Sequence, residues 1–114
     1  MAYDKRAFGN FLRKMIKQAD ISQSDFYVAV GITKPYFYDI LSGKANPPPP
    51  EVQFKMLENL VLDDQQRNAF LDLAAEGRRE VPADIALHIM NNPENVDRVR
   101  RLLAGAVDAD VAEM

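Results

Sequence analysis

Gly31 and Gly43 divide residues 22–47, SQSDFYVAVGITKPYFYDILSGKANP, into two short helix patterns with a tight turn between them. Only glycine enters the left-handed backbone region without steric cost, so each is a natural stop for the helix before it. Ser22 stands where a hydroxyl accepts from an orphan backbone N–H one turn on. Phe26, Ala29 and Val30 then give one apolar face. Ile32 is an apolar plug in the turn, and Thr33 caps the second helix. Pro35 falls in the first turn of that helix, where a missing N–H costs nothing. Phe37, Ile40 and Leu41 return the apolar face at spacings of three and four. Two helices with a glycine-containing turn of this length read as a helix-turn-helix.

Gln23, Phe26, Val30-Gly31-Ile32-Thr33, Tyr36-Phe37, Ile40, Gly43-Lys44 and Asn46-Pro47 together resemble the phage-repressor, Cro-like helix-turn-helix family of the xenobiotic-response-element type. With flanking helices the resemblance covers residues 5 to about 62. Tyr27 stands where that family prefers a small Ala, and Leu41 where it often has a polar residue. The helix patterns along the chain predict an all-α protein, and with the resemblance they give a five-helix lambda-repressor-like DNA-binding domain followed by a C-terminal helical hairpin. It also implies that the helix Lys34–Ser42 enters the major groove of double-stranded DNA with its N-terminal end leading. The implied contacts are Gln23, Thr33, Lys34, Pro35, Tyr36, Tyr38, Asp39, Lys44 and Asn46. Lys34, Pro35 and Asp39 face base edges in this scheme. Gln23, Lys44 and Asn46 hold the backbone, which positions the protein without reading sequence. Tyr36 and Tyr38 are open between a phosphate contact and half-buried packing. Phe37, Val30, Ile32 and Ile40 are assigned to the core.

Charge is informative once the chain is split. Residues 1–60 carry eight Lys or Arg against six Asp or Glu, about +2, and residues 61–114 carry six against eleven, about −5, which gives the net −3. An acidic whole argues against nucleic-acid binding, but the acid lies mainly outside the helix-turn-helix half. A charge of +2 is small, so modest non-specific affinity and dimerisation are expected. Cysteine is absent, which removes a disulfide framework and a thiolate zinc site. The start, MAYDKRAFGNFLRK, lacks the apolar core of a signal peptide. No apolar run is long enough to span a bilayer, so a cytoplasmic address with no membrane partner is expected.

Along the chain, Phe8, Phe11, Leu12, Met15 and Ile16 follow the spacing of an amphipathic helix over 4–19. Lys5, Arg6, Arg13, Lys14 and Lys17 lie mainly outside that stripe. Such charges are ordinarily a solvated face; the functional alternative is phosphate contact by Lys5 and Arg6 at the helix N-terminus. Pro47–Pro50 cannot be helix interior and read as an extended spacer between the recognition helix and the next one. A ligand for a proline-recognition module is the alternative. Pro50 opens a fourth helix with Val52, Phe54, Met56, Leu57 and Leu60 facing the core. Asp63 and Gln66 form a capping-box pattern for a fifth, with Phe70, Leu73 and Ala74 as its stripe and Gly77 as its end. Arg78 and Arg79 are read as partners for carbonyls at that end.

Residues 78–114 are read as a helical extension on a domain of residues 1–77. Ile85, Ala86, Ile89 and Met90 mark one helix, and Asn92-Pro93-Glu94 cap another carrying Val96, Val99, Leu102, Leu103 and Val107. A frayed acidic tail is expected from Gly105. The extension is expected to pack on the first five helices or on a second copy, and a homodimer is preferred because helix-turn-helix readers work on two-fold sites. The function expected is a sequence-specific transcriptional regulator, a repressor on a palindromic operator. The alternative is a protein-interaction module such as an antitoxin, using the C-terminal helices on a protein partner. No enzyme and no cofactor is expected: His88 is the only histidine, and no acid, base or nucleophile is grouped with it.

Overall fold

Seven helices follow one another: α1 (Lys5–Gln18), α2 (Gln23–Val30), α3 (Lys34–Ser42), α4 (Pro50–Glu58), α5 (Asp64–Arg78), α6 (Ala83–Asn91) and α7 (Pro93–Ala112). The structure, a computed structural model, describes residues 4–112, with side chains as far as Gly105. No strand occurs among the described residues. The chain divides into two compact units, Met1–Ala83 and Asp84–Met114. The division falls beyond Gly77 because Arg78 and Glu80 are still tied into the first unit, as described below.

Local chemistry sets most helix ends. Ser22 Oγ accepts from the Asp25 N–H at 3.0 Å, and Thr33 Oγ1 from the Tyr36 N–H at 3.4 Å. Asp63 and Gln66 complete a reciprocal capping box, at 2.7 and 3.2 Å. Gly31 and Gly43 take φ of +85° and +79°, the left-handed caps that end α2 and α3.

In the first unit, α1 packs most closely on α3 and α5, α2 touches α3 and α4, and α4 meets α5. Phe8 and Leu12 of α1, Phe26 of α2, Phe37 of α3, Met56 of α4 and Phe70 of α5 share one core. Phe8 meets Phe70 edge-on at 5.1 Å between ring centres, and Phe26 meets Phe37 at 6.0 Å. Phe37 is fully buried, so truncating it to Ala costs about 3–5 kcal/mol. Gln18 couples α1 to the α4–α5 loop: its Nε2 donates to the Val61 carbonyl at 2.7 Å and its amide pairs reciprocally with that of Gln66.

Close approach explains two glycines. A Cβ on Gly9 would overlap the Leu41 carbonyl oxygen, so α1 crosses α3 backbone against backbone. Gly77 does not end α5 as the sequence suggested. It lies inside the helix, and a Cβ there would stand 2.6 Å from the Pro47 ring. The left-handed cap falls to Arg79 instead, at φ +58°.

Pro47 and Pro48 are buried, which removes them as a ligand for a proline-recognition module. Arg78 donates to the Pro47 carbonyl at 3.1 Å and forms a double-bonded ion pair with Glu80, at 2.9 and 3.0 Å. It therefore clamps the proline segment rather than the end of its own helix. Gln53, only 2% exposed, donates to the Pro48 carbonyl at 2.8 Å while its Oε1 has no protein partner.

Two further departures concern apolar stripes. Ala29 is exposed, and Tyr27 takes the inward position, its ring 5.4 Å from that of Phe37. In the second unit Ile85, Met90, Leu102 and Leu103 are all exposed, and a single residue, Asn92, separates α6 from α7. The Asn92 amide donates backward to the His88 carbonyl at 3.4 Å. Helix α7 is continuous through Gly105 to Ala112; the Val107 side chain lies outside the described ones.

Candidate nucleic-acid interface

Helix α3 is split by its own periodicity. Phe37, Ile40 and Leu41 are buried; Pro35 and Tyr38 fall away from that stripe, and Lys34, the first residue of the helix, is exposed with them. Its N-terminal end is uncrowded because Pro35 brings no N–H and Thr33 satisfies one of the others. Thr33 is itself exposed, and its hydroxyl oxygen is engaged in the cap.

The two tyrosines separate. Tyr36 is half-buried and packs against the core, so it is a packing residue. Tyr38 is 42% exposed, rests edge-on against Phe37 and donates from its hydroxyl to Gln23 Oε1 at 3.3 Å. That bond crosses from the start of α2 to the outer face of α3. It holds the Gln23 carboxamide by its oxygen and leaves the amide N–H groups to donate elsewhere. Asp39 is half-buried; its backbone carbonyl takes the Ala45 N–H at 3.0 Å and so folds the chain back after Gly43. Lys44 and Asn46 leave exposed from that turn, with the Lys44 N–H directed to Ser42 Oγ at 3.4 Å.

The structure thus brings Gln23 to Tyr38, aligns Lys34, Pro35 and Tyr38 on one helix face, and puts Lys44 and Asn46 at the far end of that helix. Tyr36 is half-buried against the core. No protein-family model, curated protein or solved structure matches the chain. What bears on function is therefore the geometry of this chain.

Of the two residues that the sequence offered as alternative phosphate contacts at the start of α1, Arg6 comes next to this surface. Arg6 lies across Gly43: a Cβ on that glycine would stand 2.8 Å from Arg6 Cγ and 3.2 Å from its backbone nitrogen. The signal in the sequence was Gly43 itself, which has a packing reason besides its positive φ. Elsewhere, the Arg78 guanidinium, by its hydrogen bonds and charge, holds the Glu80 carboxyl below the usual carboxylate range. Among the described residues no helix is long and apolar enough to cross a membrane.

Proposed function

We propose that this chain is a sequence-specific, non-enzymatic DNA-binding regulator, a cytoplasmic repressor of the Cro-like type that binds a palindromic operator as a dimer. The observation that carries this reading is the outward face of α3, where Lys34, Pro35 and Tyr38 project from a helix whose opposite face is fully buried. A helix is about 10–12 Å across with its side chains and the major groove about 12 Å wide, so such a face fits. Helices α1–α5 then act as the lambda-repressor-like scaffold that holds it rigid.

In this reading Lys34 donates to guanine O6 and N7, Asp39 accepts from a cytosine amino group, and Pro35 touches a thymine methyl. Gln23, steadied by the Tyr38 hydroxyl, directs its amide to a backbone phosphate. Thr33, Lys44 and Asn46 add backbone contacts. The exposed Leu102 and Leu103 of α7, 74% and 59% accessible, support pairing of two copies through the C-terminal helices. The same exposure supports the second reading, an antitoxin-like module that covers a different protein with these helices.

The test is selection of duplexes from a random pool, followed by a salt series on the winner. A palindrome with half-sites about 10 base pairs apart and a steep salt dependence is the expected result. Lys34→Ala should remove about 1–3 kcal/mol of discrimination at one base pair. Lys44→Ala should weaken all duplexes alike and flatten the salt slope by roughly one unit. No enrichment by folded protein, or identical effects of the two substitutions, refutes this docking.

A further inference from the structure

We infer that Arg6, outside the helix-turn-helix stretch, is a backbone-phosphate contact on the same edge as Lys44, and that Gly43 is the residue that positions it. The inference rests on the DNA-binding reading above and adds a contact that reading does not contain.

Gly43 closes α3 in the left-handed region, and the space its missing side chain leaves is filled by the stem of Arg6, with Cγ 2.8 Å and Cα 3.4 Å from where a Cβ would be. The first turn of α1 is thereby laid on the C-terminal end of α3. The next residue is Lys44, and consecutive Cα atoms are about 3.8 Å apart. Two cations from different helices therefore emerge beside one another at the end of the proposed recognition helix. Arg6 and Lys44 are both exposed. Neither takes part in the ion pairs found among the described residues, unlike Arg78 and Arg100. An arginine lying over an apolar surface keeps its guanidinium outward and forked, which suits a phosphate's paired oxygens.

The helix N-terminus does not provide this site. Asp4 already accepts from the Arg6 and Ala7 N–H groups, at 3.0 and 3.1 Å, so the open amides that would attract an anion there are engaged. The contact is made by the side chain, which separates Arg6 from its neighbours. Lys5 is half-buried, its Cα 3.9 Å from where a Gly77 Cβ would be. Lys17 lies eleven residues further along α1, about 16 Å away at a helical rise of about 1.5 Å per residue. Helix α3, nine residues long, spans about 13 Å on the same basis. Gln23 is bonded to Tyr38 in the middle of it, and the Arg6–Lys44 pair lies at its C-terminal end.

The experiment measures binding of the full chain to its selected duplex across a salt series, for the wild type and for Arg6→Gln, Arg6→Lys, Lys5→Gln and Lys17→Gln, each checked for folding by circular dichroism. Arg6→Gln should lower the slope of log K against log salt by about 0.9 and weaken binding about eightfold near 0.1 M salt, alike for all duplexes. Arg6→Lys should restore the slope, and Lys5→Gln and Lys17→Gln should keep it. An unchanged slope in Arg6→Gln, or an equal loss in all three glutamine variants, overturns the inference while leaving DNA binding intact. No binding by the wild type overturns the DNA-binding reading and this inference together.

Discussion

Gly9→Ala tests how tightly α1 and α3 are joined. In an unconstrained helix interior, replacing Gly by Ala gains about 0.8–1 kcal/mol of helix propensity. Here the new methyl would overlap the Leu41 carbonyl oxygen and lie 2.7 Å from its carbon and 2.8 Å from the Ile40 oxygen. These are backbone atoms, so no side-chain rotation relieves the overlap. Ordinary contact begins near 3.4 Å, so clearing the overlapped Leu41 oxygen requires the helices to part by about 1 Å or more. A gap of about 0.5–1 Å forfeits a quarter to a half of each dispersion contact along the seam, and overpacking costs about 1–3 kcal/mol in general. A backbone overlap of this depth belongs to the upper part of that range, about 2–3 kcal/mol, so the clash outweighs the propensity gain and leaves a net loss of about 1–2 kcal/mol. For a unit of this size that is about 5–15 °C in Tm. Gly105→Ala in α7 is the internal control, because nothing lies within 4 Å of its added methyl. Thermal and urea unfolding followed at 222 nm should show a clear loss for Gly9→Ala and none for Gly105→Ala. A Gly9→Ala protein as stable as the wild type would refute the backbone-contact argument.

Two other perturbations address the proline clamp. Arg78→Ala removes a part-buried bond to the Pro47 carbonyl and should cost about 1–2 kcal/mol, read as a lower urea midpoint; no shift would mean the segment is held by ring packing alone. Glu80 has a folded-state pKa below its unfolded one, so its contribution is complete above the ordinary glutamate range and fades as pH falls through the lowered value. Because the pair is largely solvated, the effect is under about 1 kcal/mol. The stability difference between wild type and Glu80→Gln should be present at pH 7 and shrink as pH falls below the ordinary glutamate range; a constant difference would exclude this titration.

Helix ends were the most legible part of the sequence. Ser22, Thr33 and the Asp63–Gln66 pair act on backbone groups within one turn, so spacing alone reveals them. Gly31 and Gly43 were legible for the same reason. Gly77 misled because its cause is not local: Pro47 presses on it from thirty positions away, and α5 continues beneath. The burial of Gln53 likewise depends on the Pro48 carbonyl, which polarity alone could not foretell. At the candidate interface the resemblance named Lys34, Pro35 and Asp39 as the outward set, and of these Lys34 and Pro35 are exposed while Asp39 is half-buried. It could not separate Tyr36 from Tyr38, since that depends on Gln23 and the core as neighbours. Arg6 was legible, with Lys5, as an alternative phosphate contact at a helix N-terminus; the packing of its stem on Gly43 depends on the α1–α3 crossing, which spacing along α1 does not reveal.

The seating of Pro47 on Gly77 also bears on how such a sequence can change over generations. A ring and an absent side chain fit one another at 2.6 Å, so neither site drifts freely while the other stays. A lineage that gains any side chain at position 77 must first, or at once, give up the ring at position 47. The two positions are therefore expected to be inherited as a pair, and an alignment of descendants would display them as linked columns.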